Sequence, residues 1–169
     1  MRHRRAWALV GSALFLVIVP GSVAGLAPFW ISNWRMHPPF LGMDLFQWAG
    51  AALIALGAIG LVDSFVRFAA QGLGTPAPVF PTRHLVVSGG YRYVRNPMYV
   101  AVVSTILGQG LLLGNVRLLG YGGMVWLAAH LFVVCYEEPV LKASFGSEYE
   151  TFRGEVPRWI PRLKPWRAG

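Results

Sequence analysis

Charge is scarce in this sequence. Only 13% of its 169 residues are charged, where a soluble domain carries roughly 25%. In turn 55% are hydrophobic, and the mean hydropathy is +0.50. Such a balance excludes an ordinary soluble domain and points to the bilayer. Cysteine is nearly absent. Cys135 alone excludes an intrachain disulfide and a cysteine metal cluster. No Ser-His-Asp set, paired metal ligands or phosphate loop is visible, so no metal is expected. Gly108, Gly110 and Gly114 make a loose glycine pattern, but inside an apolar run with no preceding strand. Close helix packing is the better reading. No nucleic-acid motif is present either. The net charge of +8 comes from residues that flank apolar segments and form no stripe, so nucleic acid is not an expected partner.

What is there are four apolar segments: Ala6–Gly25, Leu45–Val62, Tyr99–Gly114 and Leu118–Cys135. A helix of about 20 residues is roughly 30 Å long, enough to span. The first segment also reads as a signal peptide, with "MRHRR" as its basic start; three spans remain either way. The last two are separated only by Asn115, Val116 and Arg117, which suits a tight hairpin. With the N-terminus inside, 13 of the 15 Lys and Arg fall on the inner side, and only Arg35 and Arg117 outside. The expectation is an all-α integral membrane protein of about four spans, in the cell inner membrane, with both termini cytoplasmic. Residues 1–66 form a two-span part. Residues 67–169 form the part with the hairpin (99–135) and an amphipathic tail. Small-residue patterns suit helix packing and leave the oligomeric state open.

Nearly everything polar lies on the inner side, in a loop and a tail. The loop ends in "SGGYRYVRNPMY": a Gly-Gly turn after a short extended piece, then Asn96 as N-cap and Pro97 in the first helical turn. Read alone, it is either a basic anchor with an aromatic belt or part of a site. The tail opens with Glu137 and Glu138 at the end of the fourth span. Carboxylates there are costly unless paired or used, and they sit at the wrong end of the helix dipole. Arg92, Arg95 or a cationic ligand would compensate; otherwise both point into water. Val140, Leu141, Ser144, Phe145, Tyr149 and Phe152 then recur at helical spacing, predicting an amphipathic helix against the membrane or the loop, weakened at Gly146. The hairpin returns the chain to the same side, so Tyr91–Tyr99 should meet Glu137–Glu138. His130 reads as a hydrogen-bonding group directed to a neighbouring helix, and Asp63 with Arg67 as an i,i+4 ion pair.

"SGGYRYVRNPMY", then a hairpin, then "EEPVLKASFGSEYETFRGEVPRWIP" resembles the isoprenylcysteine carboxyl methyltransferase family of integral membrane methyltransferases, with phospholipid N-methyltransferases as more distant relatives. The likeness covers roughly Arg83 to Arg162. It implies S-adenosyl-L-methionine as cofactor, bound on the cytoplasmic side. Carried over residue by residue, it implies cofactor contacts from Arg83, His84, Leu85, Val86, Tyr91, Asn96, Pro97, Met98, Tyr99 and Glu137, with Arg95 and Glu138 as catalytic candidates. It also implies transfer of a methyl group to a lipophilic or membrane-partitioning small-molecule acceptor: a carboxylate, a thiol or a lipid amine.

Two departures bear on the acceptor. The family's histidine before the proline is Asn96 here, which hydrogen-bonds but does not titrate near neutrality. The arginine that holds the prenylcysteine carboxylate, four residues before the key glutamate, is Val133 here. These substitutions keep open a phospholipid N-methyltransferase, or a non-catalytic membrane scaffold of the same fold.

Overall fold

The computed structural model describes residues 18–70, 85 and 87–167, and among them the chain is all-helical. Helix α1 covers Ile18–Ser32, α2 Leu45–Ala70, α3 Pro97–Leu112, α4 Val116–Phe132 and α5 Glu138–Glu155. Two stretches are long and apolar enough to cross a membrane: Leu45–Arg67, and the 40-residue run Val116–Glu155, which joins α4 to α5. Helices α1 and α3 are shorter apolar helices. The beginning of the first expected span lies outside the described residues, and its end runs on to Ser32 rather than stopping at Gly25.

The chain divides into two compact units. One holds the described residues of Val17–Leu61 and Met98–Ala129; the other holds those of Val62–Pro97 and His130–Gly169.

In the first unit small residues let backbones meet. A Cβ on Gly50 would lie 2.5 Å from the Leu112 nitrogen, and one on Gly108 would lie 2.7 Å from the Gly50 carbonyl oxygen. Gly108 of the glycine pattern thus packs against α2, whereas a Cβ on Gly110 would meet Leu119 of α4 and one on Gly114 the Pro38 carbonyl. Asn115 makes the tight turn: its Oδ1 accepts from the Arg117 N–H at 3.0 Å and starts α4. Helix α1 contains a π-helical turn, Ser22–Leu26, in which the Ala27 N–H bonds the Ser22 carbonyl. Tyr121 donates to the Val23 carbonyl at 2.9 Å, and the Gln109 amide to that of Ala24 at 2.7 Å. Polar side chains of α3 and α4 thereby bond backbone carbonyls of α1.

The second unit carries the polar loop and the tail. Tyr149, Phe152 and Val156 form its buried cluster, with Leu85, Val87, Leu141, Phe145 and Trp166 packed against it. The amphipathic face of α5 is therefore covered by the loop, one of the two expected alternatives. Gly146, at φ +52°, breaks the helix where its spacing weakens.

One expectation is corrected. Glu137 and Glu138 do not stand at a helix C-terminus. The chain passes through a π-helical turn, Val133–Glu137, directly into α5, with Glu138 and Pro139 in its first turn. Pro139 has no N–H to donate, and it directly follows the wide turn, in which the Glu138 N–H bonds the Val133 carbonyl. The unfavourable dipole argument therefore does not apply to this pair.

Candidate functional site

The Gly-Gly turn is fastened to the end of α2. Arg67 Nε donates to both carboxylate oxygens of Asp63 at 2.9 Å, and the Gly90 N–H reaches Asp63 Oδ2 at 3.4 Å. The expected i,i+4 pair thus also holds the turn. Gly89 has φ +57°, and a Cβ there would collide with the Arg67 guanidinium. Both facts demand glycine. Gly89→Ala should cost about 1–3 kcal/mol, read as a lower unfolding midpoint in detergent. Gly154→Ala is the control, since a Cβ at Gly154 meets nothing within 4 Å.

The turn continues as a 3-10 segment, Gly89–Arg92. The Tyr91 phenol is pushed well above its ordinary value, by burial first and then by the negative charges of Glu137 and Asp63. Tyr91 therefore stays a neutral hydroxyl at any physiological pH. It shares one electrostatic neighbourhood with the half-buried Glu137.

Beyond the turn the tail lies alongside the loop. The Arg95 N–H donates to the Pro157 carbonyl, the Arg162 N–H to that of Tyr93, and the Trp166 N–H to that of Arg92, each at 2.9 Å. The Arg92 Nε returns a bond to the Trp166 carbonyl at 2.6 Å. Asn96 donates its amide N–H to the Arg158 carbonyl at 3.1 Å, a use the capping expectation did not include.

Glu138 is buried at the centre of this arrangement. Its Oε1 lies 2.6 Å from Arg158 Nε and 3.1 Å from Arg95 Nη1, and Oε2 lies 3.0 Å from Arg158 Nη2. Arg153 Nε stands 4.0 Å away. Burial raises the carboxyl's pKa, but the Arg158 hydrogen bonds and the charges of Arg95, Arg158 and Arg153 outweigh it and hold the group below its ordinary value. Arg153 is shared with Glu150, 3.8 Å away, so Arg95 and Arg158 are the close partners of the carboxylate. Arg95 also bonds the Tyr149 hydroxyl at 3.3 Å, while its buried Nε has no hydrogen-bond partner among the described residues.

The structure thus brings Tyr91, Arg95, Asn96, Pro97, Glu137 and Glu138 into one unit. Leu85 packs into the cluster beneath them. Met98 and Tyr99 lie in the first turn of α3, and Arg83, His84 and Val86 lie outside the described residues. Among the described residues no group of His, Cys, Asp and Glu could hold a metal ion. Val133, at the position of the family's substrate arginine, is fully buried. Arg158 and Trp159 escaped the sequence reading. Trp159 Nε1 donates to His130 Nδ1 at 3.0 Å, so the tail supplies a hydrogen bond to that histidine. A signal was available in "VPRWIPR": arginine and tryptophan held between prolines.

Known proteins are similar to this chain in sequence. Residues 45–148 match the family model for phospholipid methyltransferases. The protein-S-isoprenylcysteine O-methyltransferase of Schizosaccharomyces pombe (strain 972 / ATCC 24843) is 40% identical over 82 residues, 47% of this chain and 34% of that protein. The chain thus covers only about a third of that relative. The nickel-cobalt-cadmium resistance protein NccN of Alcaligenes xylosoxydans xylosoxydans is 27% identical over 168 residues, 99% of this chain and 68% of that protein. The family match covers α2, α3, α4 and the acidic pair, more than half of the sequence, and on that extent the chain belongs to the phospholipid methyltransferase family.

Proposed function

We propose that this chain is an integral membrane methyltransferase that uses S-adenosylmethionine and acts on a lipophilic acceptor. The carrying observation is the meeting of the Gly89–Pro97 turn with Glu137 and Glu138 in one unit. The donor set suits the cofactor's mixed charge. Glu137 would hold its ammonium group or a ribose hydroxyl. The buried Arg95 Nε–H would meet its carboxylate. Tyr91, kept neutral, offers a hydroxyl beside Glu137. Asn96 and Pro97 would contribute from the same unit; for Met98, Tyr99 and the segment Arg83–Val86 a cofactor role rests on the family resemblance alone. Glu138, engaged by Arg95 and Arg158, acts as a positioning residue for Arg95. When bound, the cofactor supplies a methyl group on a positively charged sulfur; the chain's own task is to align the acceptor with it.

The acceptor would enter from the bilayer and the cofactor from the cytoplasm, with both termini on the cytoplasmic side of the inner membrane. Val133 supports an acceptor other than a prenylcysteine carboxylate. The family match favours a lipid amine as the second reading, and lipid analysis of a deletion strain separates it from a carboxylate or thiol.

The test is calorimetric titration of detergent-purified protein with S-adenosylhomocysteine. The parent chain should bind saturably. Glu137→Gln should bind roughly tenfold more weakly, the loss expected for a hydrogen bond to a charged group, with membrane insertion unchanged. Binding as tight as the parent's would remove Glu137 from the site. A folded parent that does not bind would leave the non-catalytic scaffold.

A further inference from the structure

The segment after α5, "PRWIPRLKPWR" (Pro157–Arg167), contains no acidic residue. It is pinned, not loose. Trp159 bonds His130 in the last turn of the apolar helix α4, and the backbone of Arg162 and Trp166 bonds the loop. The Trp166 ring packs on Phe152, with centroids 5.5 Å apart. A segment so held still turns two large aliphatic side chains outward: Ile160 is 78% exposed and Leu163 is 99% exposed. Between and beyond them stand basic groups. Arg162 lies 4.0 Å from Glu155, while Lys164 and Arg167 are exposed and make no ion pair among the described residues.

We propose that this segment is a lipid-docking surface, seated on the anionic phospholipid headgroups of the bilayer that holds the chain. The hydrogen bond to His130 sets it at the depth of the end of an apolar helix. Ile160 and Leu163 enter below the headgroups, and Lys164 and Arg167 meet the phosphates. Tryptophan beside lysine and arginine is the composition suited to that layer. Two aliphatic side chains alone bind a surface weakly, so the paired cations decide the lipid class. This inference rests on the integral-membrane part of the proposed function and is independent of methyl transfer.

The test uses the full chain with Cys135→Ser and Leu163→Cys, labelled at position 163 with an environment-sensitive fluorophore. It is reconstituted into vesicles of phosphatidylcholine, alone or mixed with phosphatidylglycerol, with a quencher on the lipid headgroup. Each basic side chain at an anionic surface favours docking roughly five-fold. Quenching should therefore be much stronger with phosphatidylglycerol. High salt should erase the gain by screening, and so should Lys164→Glu with Arg167→Glu. Equal quenching in both lipids, or a gain that survives salt and charge reversal, overturns the proposal. So does quenching that rises with protein density, which would make the occupant a second copy of the chain.

Discussion

Glu138→Gln is expected to destabilise the unit around it by about 3–5 kcal/mol, because it leaves buried guanidinium groups without their counter-charge. The carboxylate that is lost is 10% exposed and lies against Arg158 and Arg95, the latter also 10% exposed. Arg153 is 42% exposed, and water screens its share. Denaturant unfolding in detergent measures the effect. Removing Arg158 as well should restore little, since Arg95 stays buried and unpaired. The difference also depends on pH. Glu138 is held below its ordinary value in the folded chain. Its contribution is therefore complete above the ordinary carboxylate value and disappears as pH falls through the depressed one. Parent and variant should converge in acid. A variant as stable as the parent at neutral pH would mean that the cluster is solvated.

Cutting the chain after Val156 should abolish binding of S-adenosylhomocysteine, a loss of more than about 100-fold, while the apolar helices still insert. The cut removes the Arg158 partner of Glu138 and the Trp159 partner of His130. It also removes the three backbone bonds to Arg92, Tyr93 and Arg95, and the carbonyl that holds Asn96. Losing that many bonds from one turn exceeds what a marginally stable unit can absorb. Two readouts divide the outcomes. Limited proteolysis near Arg92 and Arg95 reports whether the turn has loosened, and calorimetry reports binding. A truncated chain that resists protease and binds normally would show that the tail is an accessory.

The helices were legible because apolar length is a strong signal. The Asp63–Arg67 pair was legible because its partners are one helical turn apart. The convergence of loop and tail followed from the hairpin alone, and the cost of a buried carboxylate pointed to Arg92, Arg95 or a cationic ligand, of which Arg95 pairs with Glu138 while Arg92 bonds the Trp166 carbonyl. What stayed hidden has no period. Arg158 lies 20 residues from Glu138, beyond a break at Gly146, so no spacing rule joins them. The continuation of the helix through the acidic pair was obscured by Pro139, which reads as a stop until its first-turn place is known. The cofactor candidates depend on family resemblance more than on spacing, because Tyr91 and Glu137 come from separate segments.

The π-helical turn Val133–Glu137 has a consequence for how this protein can change. Such a turn takes one residue more than an α-helical one, and each residue of an α-helix advances the azimuth by about 100°. The compass bearing of Glu138 is therefore written in a count of residues. Shorten the turn by one, and the side chains of α5 that meet the preceding loop, Glu138 on Arg95 among them, swing away from it although no chemical group there has altered. Insertions and deletions, rather than substitutions, are the coarse tuning of this half of the molecule.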